Sequence, residues 1–171
     1  MTVSNAALLT ASLLFPGAMI YAGIMDLVTM KIRNALVLFV AGAYFVLAPL
    51  AGFGAAEIGL SAILGLAVFV VTFVLFALGW IGGGDAKLAA ATALWFGPEH
   101  ALTYFTYMAL LGGLLTLAII QLRAWPLPSP LSRIGWLSHL HAPKTGIPYG
   151  AAMAPAALIV FPHTAWMNVI L

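Results

Sequence analysis

The chain has 171 residues, 64% hydrophobic and 6% charged, with a mean hydropathy of +1.15. Soluble domains carry about 25% charged residues, so this composition excludes a water-soluble globule and indicates an integral membrane protein. There is no cysteine, which rules out disulfides, thiol catalysis and cysteine-held metals, and a net charge of +2 is too small for nucleic-acid binding.

A spanning helix needs roughly 20 apolar residues. Residues 6–25 carry no charge and fit. A secretory signal would begin with basic residues, but none precedes this run, so it reads as a retained span. A polar stretch follows at 26–34. Residues 35–52 form a second span, closed by Gly52, Gly54 and Glu57, and residues 58–80 form a third. Gly82-Gly83-Gly84-Asp85 comes next. Residues 86–98 are few for a span and have the length of a re-entrant segment. Residues 101–120 are a clear span, 121–146 are more polar and proline-rich, and 147–171 are the last span. No internal repeat divides the chain, which reads as one polytopic domain over 1–171.

Charge sorts the topology. Cytoplasmic loops carry an excess of Lys and Arg. If residues 86–98 cross the membrane, Lys31, Arg33, Lys87, Arg123, Arg133 and Lys144 all fall on one side, and Glu57 and Glu99 on the other. If the segment is re-entrant, Arg123, Arg133 and Lys144 move to the wrong side. The expected fold is therefore all-α with six transmembrane helices, both termini outside and the polar loops in the cytoplasm. Within 121–146, Leu131, Ile134, Leu137 and Leu140 recur at helical spacing beside Trp125 and Trp136. They make either a short amphipathic helix on the cytoplasmic surface or a plain connector.

The chain has four acids: Asp26, Glu57, Asp85 and Glu99. An ionisable residue at membrane depth is expensive and marks function by default. In the six-span topology Asp26 and Asp85 lie near one face, and Glu57 and Glu99 near the other. Two carboxylates held close do not both ionise cheaply, so the pair offers an acid and a base together. The base activates a water, while the acid polarises a peptide carbonyl and helps the amine leave. Gly82–Gly84 suggests a hydrated pocket beside Asp85, where backbone without Cβ can take unusual φ/ψ and lie close to a substrate strand.

Simpler roles exist for each residue. Asp85 has the place of a helix N-cap before the apolar run 88–96, and Asp26 that of a polar helix end near Lys31 and Arg33. Lys87 either holds negative charge on Asp85, binds substrate, or snorkels to the interface. His139, His141 and His163 have no spacing that joins them to the acids as a metal site.

Gly82-Gly83-Gly84-Asp85-Ala86-Lys87-Leu88 resembles the GxGD motif of type IV prepilin peptidases. Asp26-Leu27, followed by Lys31-Ile32-Arg33-Asn34, resembles that family's first catalytic segment, and Pro148-Tyr149-Gly150 a motif near the start of its last span. The short length is similar to the minimal peptidases of tight-adherence (Flp) pilus systems. The resemblance implies an aspartic endopeptidase of the bacterial inner membrane. It would cut the basic leader from a prepilin or pseudopilin at the boundary with its hydrophobic segment, on the cytoplasmic side. It assigns Asp26 and Asp85 as the catalytic pair and Gly82 and Gly84 as the motif glycines. No metal or organic cofactor is implied. With no cysteine tetrad, the resemblance implies peptidase activity without N-methyltransferase activity. Arg33 stands where the family often has proline. The alternatives are a presenilin-like intramembrane protease, a proton-coupled transporter, and a non-catalytic membrane protein of pilus assembly.

Overall fold

The computed structural model describes residues 2–143 and 145–167. Lys144, assigned above to the cytoplasmic side, and the end of the expected last span at 168–171 lie outside the described residues. Those described form helices and no strand: α1 (Val3–Thr29), α2 (Asn34–Ala51), α3 (Ala55–Ala77), α4 (Gly83–Ala124), α5 (Gly135–His141) and α6 (Gly150–Val160), with short 3-10 turns at Leu131–Arg133, Phe161–His163 and Ala165–Met167. The chain is an all-α integral membrane protein. Helices α1 to α4 are long and apolar enough to span, and Gly150–His163 is a shorter apolar helix.

Helix α4 is two helices in one. At Gly97 the backbone turns to φ 56, ψ −176, a region open to glycine and closed to residues with a Cβ. Pro98 follows and fixes the start of the second arm. Tyr104 shows that the chain reverses there. Its ring stacks on Phe96 at 4.5 Å and its hydroxyl lies 3.4 Å from Thr92 Oγ1. In a straight helix, Thr92 and Tyr104 would stand about 18 Å apart at ~1.5 Å per residue. The two arms, 83–96 and 98–124, therefore run antiparallel. With α1, α2, α3 and α6 they make the six apolar helical segments expected from the charge pattern.

The arms also separate the charges. Glu57 and Glu99 line one pocket with Gly97 and Trp166, at the far end of the first arm from Asp85. The ends of α4's second arm and the α5 region return to Asp85's end of the bundle. There the stretch read as either a short helix or a connector contains the Leu131–Arg133 turn and the seven-residue α5, with Leu140 buried.

Small residues set the helix spacing. On α3 only Ser61 and Gly65, one helical turn apart, are buried. A Cβ on Gly65 would stand 2.7 Å from Leu94 Cδ2, and one on Gly97 3.1 Å from Ser61 Oγ. Close backbone approach of this kind drives helix association in lipid, where burial of apolar surface cannot. Deeper in the bundle, Phe15, Trp95, Phe161 and Trp166 form an aromatic cluster joining α1, α4 and the chain after α6. Their indoles still find partners: Trp95 Nε1 donates to Val40 O at 3.0 Å and Trp166 Nε1 to Trp95 O at 3.1 Å.

Candidate active site

Helix α1 continues one turn beyond the expected end of the first span, to Thr29, so Asp26, read as a polar helix end, lies within its last turn. Met30 stops the helix in the left-handed conformation, φ 54, and its N–H donates to Asp26 O at 2.8 Å. A non-glycine residue at positive φ stores strain, a cost tolerated most often beside functional sites. The chain then turns through Lys31, Ile32 and Arg33 into α2. Arg33 has φ −71, the value a proline ring imposes. The arginine thus keeps the turn that proline would make.

Asp26 is 4% exposed. Its Oδ2 accepts a 2.7 Å hydrogen bond from the backbone N–H of Gly150, the first residue of α6. This contact requires glycine. A Cβ at 150 would stand 2.9 Å from both Asp26 Cβ and Asp26 Oδ2, and 3.0 Å from Ile32 Cδ1. One turn earlier on α1, Gly23 makes the same close approach to α6, where a Cβ would meet Ala154 Cβ at 2.8 Å. Helices α1 and α6 therefore cross with almost no side chain between them, which brings the Gly150 amide to the carboxylate.

Asp85 is not the N-cap of its helix. Gly82 takes that place, with φ −71 and ψ 142, and Asp85 is the third residue of α4. Its side chain folds back over the start of the helix, so that a Cβ on Gly82 would stand 2.7 Å from Asp85 Oδ2. Asp85 Oδ1 is buried with no hydrogen-bond partner. Such an oxygen is rare in folded proteins.

The motif glycines provide space rather than unusual backbone. The positive-φ glycines are Gly52, Gly79 and Gly97, and none belongs to 82–84. At 83 a Cβ would press on the Phe76 ring at 3.0 Å, and at 84 on Ile32 Cβ at 3.0 Å. Ile32 thus wedges between Gly84 and Gly150, joining the turn after Asp26 to the starts of both α4 and α6. Thr72 Oγ1 lies 2.8 Å from Val68 O in its own helix and 3.1 Å from Ala86 O, where α3 meets the first turn of α4.

Asp26 and Asp85 line one cavity of about 370 Å³, together with Met30, Lys31, Ile32, Arg33 and Gly82–Gly84. Lys87 does not share it. Its ammonium donates to Asn34 Oδ1 at 3.0 Å and borders a separate apolar groove of about 560 Å³ between α2, α3 and α4. No cluster of metal-ligating side chains occurs among the described residues.

Residues 13–117 match the model of the type IV leader peptidase family, a stretch of 105 residues (117 − 13 + 1) that includes both aspartates. The chain belongs to the type IV leader peptidase family. No curated protein and no solved structure matches it. Gly150 lies beyond the matched region. Its role was legible in the sequence only as part of Pro148-Tyr149-Gly150, whose position gives no sign of contact with a residue 124 positions away.

Proposed function

We propose that this leader peptidase is an aspartic endopeptidase of the GxGD type that removes the leader of a Flp-type prepilin at the cytoplasmic face of the bacterial inner membrane. Asp26 and Asp85 are its catalytic pair. The observation that carries the proposal is that two of the chain's four acids line one cavity, one of them with a buried oxygen that has no partner. That oxygen is free to take a hydrogen bond from water or from a peptide.

In the proposed reaction one carboxylate accepts a proton from a water held between the pair, and the resulting oxygen attacks the scissile carbonyl carbon. The other carboxyl gives its proton to the carbonyl oxygen. Collapse of the tetrahedral intermediate breaks the C–N bond, and the proton taken from water passes to the departing amine. The pair titrates as a unit. Gly82 leaves room for the Asp85 carboxylate to fold back and Gly84 lets Ile32 pack beside the cavity, and Lys31 and Arg33 orient the site towards the cytoplasm. The N-methyl transfer found in larger relatives is not part of this activity.

The test is cleavage of a Flp-type prepilin by the purified protein in detergent, with N-terminal sequencing of the product. The expected cut lies at the leader's boundary with the apolar segment. A cut inside the apolar segment would indicate presenilin-like proteolysis instead, and an uncut prepilin would overturn the proposal. Reporter fusions at Gly54 and Ser132 check the orientation, with opposite sides expected. Both on one side would contradict six spans.

A further inference from the structure

The cation Arg123 ends the second arm of α4 and serves more than topology. Its guanidinium is half-buried and donates to three backbone carbonyls, one in α5 and two in the segment that leads to α6. Nε bonds Leu140 O at 2.9 Å, and the terminal nitrogen Nη2 bonds Thr145 O at 2.9 Å and Gly146 O at 3.0 Å. The donor set of arginine is a rigid planar fork that loses little freedom per bond formed. Its bonds here fix both ends of the passage from α5 towards α6.

That passage leads to the site. Gly146 is four residues before Gly150, whose amide holds Asp26. Between them Tyr149 lays its ring on α4, where a Cβ at Gly112 would lie 3.4 Å from two of its ring carbons. Gly112 and Arg123 thus anchor the same loop from two points of one helix arm. A third tie is His141 Nε2, 2.9 Å from Trp125 O. Loop carbonyls near a membrane need partners, but a serine or a water would satisfy any one of these three. A single guanidinium that takes three of them makes the loop's path depend on α4.

We propose that Arg123 is a positioning residue for Asp26, acting through the 145–149 segment that sets the Gly150 amide against the carboxylate. The inference rests on the proposed two-aspartate reaction for its kinetic consequence, but its structural consequence stands apart from activity. Arg123 touches neither aspartate. It lies outside the region that matches the family model.

The experiment compares Arg123→Lys, Arg123→Gln and Arg133→Gln in the full-length protein in detergent. Amide hydrogen exchange over 146–152 is read alongside prepilin cleavage. Arg123→Gln is expected to speed exchange of these amides at least about tenfold and to lower kcat at least about tenfold with KM within twofold, since small displacements of a catalytic group cost rate rather than binding. Arg123→Lys keeps the charge but not the fork, and is expected to restore no more than part of either effect. Millimolar guanidinium is expected to recover kcat in Arg123→Gln. Arg133→Gln, on an exposed turn, is expected to match the parent in both. Unchanged exchange in Arg123→Gln overturns the proposal. So does a raised KM with unchanged kcat, which would make the loop a substrate contact. Should the parent cleave no prepilin, the functional reading fails while the exchange result still decides the role of Arg123. Global loss of exchange protection across α1 and α4 in both Arg123 variants would also overturn it, showing Arg123 to be a general stabiliser.

Discussion

Gly150 donates its backbone N–H to Asp26 Oδ2 at 2.7 Å, across 124 positions of sequence. The bond orients one carboxylate of the site from a helix that carries no acid of its own. It exists because α1 and α6 meet through glycines at 23 and 150. Replacing Gly150 by alanine puts a methyl group 2.9 Å from the carboxylate it is meant to hold. The expected result is about a hundredfold loss of kcat, the scale of a misplaced catalytic group, with insertion in the membrane unchanged. Cleavage kinetics and membrane fractionation check it.

The glycines of the Gly82–Gly84 run have different obstacles and different expected defects. At 82 a methyl group meets the end of the Asp85 side chain, which can swing away. At 84 it meets Ile32 Cβ at 3.0 Å and Ile32 backbone atoms at 3.4 and 3.5 Å. Gly82→Ala should therefore lower activity with little change in thermal stability. Gly84→Ala should also destabilise the fold, by about 1–3 kcal/mol as for overpacking elsewhere. Melting curves and cleavage rates measured together separate the two effects.

Packing in the membrane-spanning part gives a second contrast. Gly65 has no room for a Cβ, whereas nothing lies within 4 Å of one at Gly113. Gly65→Ala should lower the melting temperature. Gly113→Ala should raise it, because alanine is favoured over glycine in a helix interior by roughly 1 kcal/mol. Equal effects at the two positions would contradict the close approach of α3 to α4.

Arg33 already has a proline's φ, −71. Arg33→Pro should preserve the turn and add roughly 0.4–1 kcal/mol of stability by restricting the unfolded chain. A fall in melting temperature would show that the arginine N–H or side chain is needed there.

Much of this architecture was legible in the sequence. The all-α class and the apolar segments followed from composition and apolar length, and the short 86–98 stretch is one arm of a helix that reverses at Gly97. That Asp26 and Asp85 lie at one end of the bundle followed from the charge-sorted topology, but their sharing one cavity did not. Other features depend on three-dimensional approach, which composition does not encode. Helix α1 runs on past Asp26 because the turn through Thr29 still forms backbone hydrogen bonds despite its polar residues. Asp85 proved to be the third residue of its helix, since Gly82 can occupy the cap position. The glycine run gives room and not positive φ. Lys87, two residues from Asp85, faces away to Asn34, because successive helix residues point in different directions. Gly150 and Arg123 act on partners far along the chain, and no local pattern announces such contacts.

The central claim is that Asp26 and Asp85 together carry out hydrolysis, and the most direct measurement is prepilin cleavage by Asp26→Asn and Asp85→Asn. Asparagine keeps the size of each side chain and removes its capacity to exchange a proton. Each variant should insert and fold like the parent and yield no detectable mature pilin. Normal cleavage by either one would contradict the two-aspartate account.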